Sequence, residues 1–241
     1  MFYRNYFDQL NPIGYAIKNN HIDAVKLLLD NGAIPNSDNI NSAIDKSLYD
    51  IADMFLEHGA SMPLMRLYND CKAGNLQHVI YVIGTKTADI NALNPIDMLT
   101  PIAVACSLGH IHILEYIMNH LSVHEAIHTY ESSLLHIAVR ANCIKSIDFL
   151  LDRGVDINSV NGDGQTPLME AMTYRSYDAY EHLCKKGATK HAQTLSFCSD
   201  YSEDRLHHYM VSCIADVFAT DVDVDVDDIN TTTVVNALSC H

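Results

Sequence analysis

The segment Thr166-Pro167-Leu168-Met169-Glu170-Ala171-Met172, with its continuation Tyr180-Glu181-His182-Leu183-Cys184-Lys185-Lys186-Gly187-Ala188, decides the fold because the chain repeats it. Thirty-three residues upstream stands Ser133-Leu134-Leu135-His136-Ile137-Ala138-Val139, followed by Ile147-Asp148-Phe149-Leu150-Leu151-Asp152-Arg153-Gly154-Val155. Thirty-three earlier again stands Thr100-Pro101-Ile102-Ala103-Val104-Ala105-Cys106-Ser107-Leu108-Gly109-His110. Gly154 and Gly187 keep the same phase. A fixed period of this length marks a chain built from small supersecondary units that bury their apolar faces only by stacking on one another.

Each unit reads as two short helices. Thr100 and Thr166 are N-caps, and Pro101 and Pro167 fill the first helical position, where no N–H is needed. Ala105, Ala138 and Ala171 are small where helices pass closely. Ile144, Ile147, Leu150 and Leu151 show the three-and-four spacing of a second, amphipathic helix. Gly154 and Gly187 suit left-handed helix ends. Asn161-Gly162-Asp163-Gly164 reads as a hairpin turn.

The opening Thr-Pro-Leu-His-x-Ala, the Gly-His centre and the Leu-Leu-x-x-Gly-Ala close resemble the ankyrin repeat. The first half resembles it too, in Asn11-Pro12-Ile13-Gly14-Tyr15-Ala16, Leu27-Leu28-Leu29-Asp30-Asn31-Gly32-Ala33, Phe55-Leu56-Glu57-His58-Gly59-Ala60 and Ala73-Gly74-Asn75-Leu76. The resemblance implies an all-α solenoid of about six stacked helix-turn-helix units with short β-hairpin fingers. The units fall at 10–36, 37–63, 64–94, 95–127, 128–160 and 161–190. A degenerate helical C-terminal cap is expected over 191–219 and an acidic, poorly ordered tail over 220–241. Gly32 and Gly59 are only 27 residues apart, so the second unit loses most of its finger. The second and third units lack the Thr-Pro opening, and the fourth has Leu121 at the phase of the closing glycine.

Composition narrows the function. The 241 residues are 48% hydrophobic and carry a formal charge of −15, from 15 Lys and Arg against 30 Asp and Glu. Nucleic acid and anionic membranes are poor partners for such a chain, and a protein with a basic surface is a better one. No apolar run reaches the roughly 18–20 residues of a membrane helix, and Met1 to Asp8 lack a secretory h-region. Seven cysteines, odd in number and without a C-x-x-C pair, point to buried thiols in a reducing cytosol.

Few motifs suggest chemistry. His124-Glu125-Ala126-Ile127-His128 matches the H-E-x-x-H signature, in which two histidines one helical turn apart hold zinc and the glutamate polarises water. Glu131 and Leu134 occupy the glycine and third-histidine positions of the extended form, and the repeat register puts His128 in a finger. A zinc metallohydrolase is the alternative reading. His136 and His110 read as structural imidazoles, and His207-His208 as a surface pair. The Asp221-to-Asp228 run lacks the glycine and glutamate of a calcium loop. No phosphate-binding loop or nucleophile elbow occurs.

The resemblance implies a non-enzymatic protein-interaction module that needs no cofactor and works as a monomer. Its partner-binding positions, carried over residue by residue, are Ile96, Asp97, Leu99, Ser107 and Leu108 in the fourth unit. In the fifth they are Thr129, Tyr130, Ser132, Arg140 and Ala141, and in the sixth Gly162, Asp163, Gln165, Thr173 and Tyr174. Tyr130, Arg140 and Tyr174 are the expected anchors, since Tyr and Arg dominate hot spots. Asn158, in the Asp-x-Asn turn, is the position at which the family's members undergo asparaginyl hydroxylation. Irregular repeats rich in Ile, Asn and Tyr resemble effectors of intracellular bacteria and host-range proteins of large DNA viruses, which act in the host cytoplasm.

Overall fold

The computed structural model describes residues 12–120, 128–129 and 132–190, with side chains at 12–120 and 134–190. The expected cap at 191–219, the acidic tail, His207-His208, Tyr130, His124 and Glu125 lie outside the described residues. Among those described there are twelve α-helices and one small hairpin. The helices are α1 (Pro12–Lys18), α2 (Ile22–Asp30), α3 (Ser37–Asp45), α4 (Tyr49–Glu57), α5 (Arg66–Ala73), α6 (Leu76–Gly84), α7 (Pro101–Leu108), α8 (Ile111–His120), α9 (Leu134–Arg140), α10 (Ile144–Asp152), α11 (Pro167–Thr173) and α12 (Tyr177–Lys185). Strands β1 (His128–Thr129) and β2 (Ser132–Ser133) pair antiparallel, His128 opposite Ser133 and Thr129 opposite Ser132. The chain divides into two compact units, Met1–Val104 and Ala105–His241, the boundary falling within α7.

One turn recurs between the leading and trailing helix of every pair. Asn20, Ser47, Gly74, Gly109, Asn142 and Arg175 all have positive φ. In each case the next N–H donates to the carbonyl five residues back, from His21 to Ala16, Leu48 to Ala43, Asn75 to Asp70, His110 to Ala105, Cys143 to Ala138 and Ser176 to Ala171, at 2.8–3.0 Å. This left-handed closure satisfies helix-end carbonyls that would otherwise be orphaned. The accepting residue is alanine five times, and Ala16, Ala43, Ala105, Ala138 and Ala171 are all buried. Three residues before each lies a buried aliphatic: Ile13, Ile40, Leu67, Ile102, Leu135 and Leu168.

In the first unit the turns at Asn20, Ser47 and Gly74 come every 27 residues, as do those at Gly32, Gly59 and Lys86. In the second unit Gly109, Asn142 and Arg175 come every 33, as do Gly154 and Gly187. The six-residue difference is the finger. The early units keep both helices and lose the hairpin between pairs. Within the first unit α1 packs on α2 and α3, α3 on α4, and α5 on α6. Ile40, Ile44, Phe55, Val79 and Val82 are fully buried there. Within the second unit α9 packs on α10 and α11, and α12 on α10 and α11. Ile147, Leu150 and Leu183 fill its core, each burial contributing roughly 1.5–3 kcal/mol.

The Thr-Pro starts behave as the sequence implies. Thr166 Oγ1 accepts from Met169 N and Thr100 Oγ1 from Ala103 N, both at 3.3 Å. Where Thr-Pro is missing, other chemistry replaces it. Asn36 and Asn39 exchange side-chain and backbone hydrogen bonds at 3.0 Å, a capping box that opens α3. Helix α5 opens on Arg66 instead. Arg66 donates to both oxygens of Asp70 (2.7 and 2.9 Å) and to Asp45 Oδ1 (2.7 Å). Both Arg66 and Asp70 are buried. Burial opposes the guanidinium charge, but the bonds to Asp70 and Asp45 outweigh it and raise the pKa further.

Candidate functional site

The carried-over positions fall in both units, and each set stands by itself. In the first unit Ile96, Asp97 and Leu99 lie on the loop between α6 and α7. Asn94 Oδ1 accepts from Ile96 N (2.8 Å) and Asp97 Oδ1 from Leu99 N (3.1 Å), while Met98 N donates to Asn94 O (2.9 Å). The Tyr68 hydroxyl donates to Asp97 Oδ2. Burial, then Asp97, pushes that hydroxyl's pKa upward. Ile96 therefore stands 91% exposed on a fixed turn.

In the second unit the positions sit just before the recurring left-handed turns. Ser107 and Leu108 precede Gly109, Arg140 and Ala141 precede Asn142, and Thr173 and Tyr174 precede Arg175. Leu108, Arg140, Ala141, Thr173 and Tyr174 are exposed. Gly162, Asp163 and Gln165 belong to the turn before α11, where Asn161 Oδ1 accepts from Asp163 N (3.0 Å) and Gln165 N (2.9 Å). Thr129 and Ser132 are placed as backbone partners in β1 and β2.

Two of the three expected anchors touch. The Arg140 guanidinium lies 4.6 Å from the centre of the Tyr174 ring. Its Nε (2.9 Å) and Nη2 both donate to Glu170 Oε1. Glu170 is fully buried, whereas the Arg140 side chain is 41% exposed. Glu170 Oε2 is buried with no hydrogen-bond partner. Ser176 Oγ, at the start of α12, donates to Arg140 O (3.2 Å), tying the end of α9 to the turn that follows α11. The result is a cation held flat against an aromatic face, with its orientation set from below. Sequence reasoning missed Glu170. Its signal was a carboxylate at a phase where the neighbouring repeats have Val104 and Ile137.

The structural histidine is where the motif puts it. His136 is buried and its Nε2 lies 2.9 Å from Gln165 O, linking one repeat to the finger of the next. Asn158 Oδ1 accepts from Thr189 N (2.8 Å), while Asp156 Oδ1 accepts from Asn158 N (2.9 Å). His128 begins the finger hairpin rather than lying on a helix. Burial pushes the Cys106 thiol up to about 12 and the Cys71 thiol up as well, so neither is a ready nucleophile. Among the described residues no helix is long and apolar enough to cross a membrane.

Paired short helices joined by left-handed turns, packed through alanine and aliphatic phases, define a helical repeat protein. A family model described as ankyrin repeats in three copies matches residues 67–161, and a single ankyrin-repeat model matches 8–40, together more than half of the chain. The chain belongs to the ankyrin-repeat family. An ankyrin repeat protein of fowlpox virus (strain NVSL) is 31% identical over 104 residues, which are 42% of this chain and 30% of that protein. The chain thus matches less than a third of that relative's length. The crystal structure of the ankyrin repeat domain of Bcl-3, a member of the IkappaB protein family, superposes with a TM-score of 0.58 at 19% identity, covering 76% of this chain and 89% of that one. Ankyrin repeats generally mediate protein–protein interaction.

Proposed function

We propose that the chain captures a partner protein without catalysis, through the ends of its leading helices and its finger turns, as a host-range factor or effector acting in the host cytoplasm. The single observation carrying this is the Arg140–Tyr174 stack over buried Glu170. A hot-spot residue is most effective when its rotamer is already fixed, because less entropy is lost on binding. Leu108, Ala141 and Thr173 flank the pair at equivalent helix ends and supply a mixed apolar and polar rim. The fowlpox homologue supports a viral setting, and the overall charge of −15 favours a partner with a basic surface. The chain acts as a monomer in this reading, and Asn158 is its site for asparaginyl hydroxylation, checked by looking for one added oxygen in the mass spectrum of the protein expressed in a eukaryotic host.

The test is capture from host-cell lysate with mass-spectrometric identification, comparing wild type with Arg140→Ala/Tyr174→Ala. A partner retained by wild type and lost by the double variant supports the reading. A partner held equally by both removes this footprint.

A further inference from the structure

The register that aligns the helix pairs also identifies the side on which each pair meets the one before it. Positions are counted from the residue that accepts the bond of the left-handed turn, such as Ala16, Asp70, Ala138 and Ala171. One residue before it, Glu170 accepts from Arg140 of the preceding pair (2.9 Å). Eight residues after it, Ser146 Oγ donates to Cys106 O (2.6 Å) and Ala179 N to Asn142 Oδ1 (2.8 Å). Eleven residues after it, the Tyr81 hydroxyl donates to Asp53 Oδ1 (2.7 Å), and His182 Nε2 lies 2.8 Å from Asp148 Oδ1.

In the first pair these three positions are Tyr15 on α1 and Ala24 and Leu27 on α2. Tyr15 is 63% exposed, Leu27 64%, and Ala24 is exposed as well. Their counterparts are covered. Val104, Ile137 and Glu170 at the Tyr15 position are buried, and so are Ile51, Ile113 and Ala179 at the Ala24 position. Helices α1 and α2 pack on one another, so the three positions belong to one stacking face. Among the described residues no helix pair precedes that face.

Residues 1–11 run directly into α1 at Pro12. In that segment Phe2, Tyr3, Tyr6, Phe7 and Leu10 recur at steps of three and four, which puts all five along one side of a helix, with Arg4, Asp8 and Asn11 on the other. Nine helical residues measure about 14 Å, matching the nine-residue α2. Pro12 keeps Asn11 out of the helical region, so such a helix ends there and the chain is free to turn back on α1 and α2. The covalent link makes this contact intramolecular, an advantage no partner in solution has. We propose that residues 2–10 form an amphipathic helix whose apolar stripe packs on Tyr15, Ala24 and Leu27, closing the first stacking face with the chain's own segment. A stacking face left open accepts a further copy head to tail, and such contacts propagate into chains of molecules. The segment thus keeps the protein single, by a device separate from the helix-end footprint and independent of it.

The chain contains no tryptophan, so a single introduced one reports alone. In the whole chain, Phe7→Trp should give a blue-shifted emission maximum and loss of acrylamide quenching. Tyr3→Trp should do the same and serves where the first variant does not fold. Asp8→Trp, on the other side of the helix, should emit as a solvent-exposed indole. Adding Ala24→Glu to Phe7→Trp should shift the emission to the red and restore quenching, with the helical circular dichroism of the fold retained. Lys26→Ala makes the same change in net charge at an exposed position of α2, whose counterparts Asp53 and Asp148 face the following pair. It should leave the Phe7→Trp emission unchanged. Three results overturn the proposal. The first is exposed emission from both Phe7→Trp and Tyr3→Trp. The second is protection that Ala24→Glu does not disturb, because the segment then packs elsewhere. The third is protection lost on dilution while sedimentation shows a dimer dissociating, since a second copy is then the occupant.

Discussion

Arg140 lies over the ring of Tyr174 at 4.6 Å while two of its nitrogens share one oxygen of Glu170. The carboxylate is buried and the cation half-exposed, so the pair is energetically one-sided. Removing the cation strands a charge, whereas removing the carboxylate charge leaves a guanidinium that water can still reach.

Arg140→Ala is therefore expected to cost about 2–3 kcal/mol in urea unfolding, and Glu170→Gln, which keeps an acceptor, about 1 kcal/mol. Tyr174→Ala removes only the exposed stacking partner and should cost under about 1 kcal/mol. The reverse ranking of the first two would mean that water reaches the Glu170 carboxylate in the fold.

The second pair is buried at both ends. Asp70 stands where five other repeats place alanine, and Arg66 four residues earlier neutralises it. Asp70→Ala leaves Arg66 buried with only Asp45 opposite, and should cost about 3 kcal/mol. Arg66→Met/Asp70→Ala restores the apolar pattern of the other repeats and should recover most of that loss. A double variant as unstable as the single would show that the network also positions Asn41 and His78, which Arg66 contacts at 3.2 and 3.1 Å.

Much of this fold was legible in the residues. Thr100, Thr166, Pro101, Pro167, the alanines and the closing glycines are local signals whose physics needs no tertiary context. What escaped was compensation. The Asn36–Asn39 box replaces Thr-Pro with a different capping chemistry, and the Arg66–Asp70 pair replaces a proline and an alanine by two charges that are tolerable only together. The left-handed turns at Asn20, Ser47, Asn142 and Arg175 hid behind ordinary side chains, so the 27-residue register of the first unit showed only in its glycines. Glu170 was unreadable for the same reason, because a buried carboxylate makes sense only once Arg140 from the preceding repeat is placed above it.

Those left-handed turns are directly testable. Ser47 has φ of 58°, which a glycine adopts without Cβ strain, so Ser47→Gly should be neutral or raise stability by up to about 1 kcal/mol. Gly109 is the opposite case. Its φ is 74°, and an added Cβ would meet Cys143 Sγ at 2.9 Å. Gly109→Ala should cost more than the roughly 1–2 kcal/mol of the backbone alone, and Cys143→Ala in the same chain should return the steric part. Additive effects in that double-mutant cycle would deny the contact.

The last expectation concerns pH. His136 is buried and its pKa is lowered from 6.5, first by burial, with the Gln165 carbonyl and Glu170 opposing and Arg140 adding to the drop. The folded state therefore holds this imidazole neutral while the unfolded chain binds a proton more readily. Where the unfolded state binds more protons, stability rises with pH. The contribution is complete above the unfolded value near 6.5 and is lost as pH falls from there toward the folded value. Other histidines titrate in the same window, so the informative quantity is the difference between wild type and His136→Gln, whose amide can still donate to Gln165 O. That difference should shrink between pH 7.5 and pH 5.5 (both about a unit from the midpoint) when followed by urea unfolding. If it widens on acidification, the folded protein carries a charged His136 facing the Glu170 carboxylate, and the buried charge balance around Arg140 has to be redrawn.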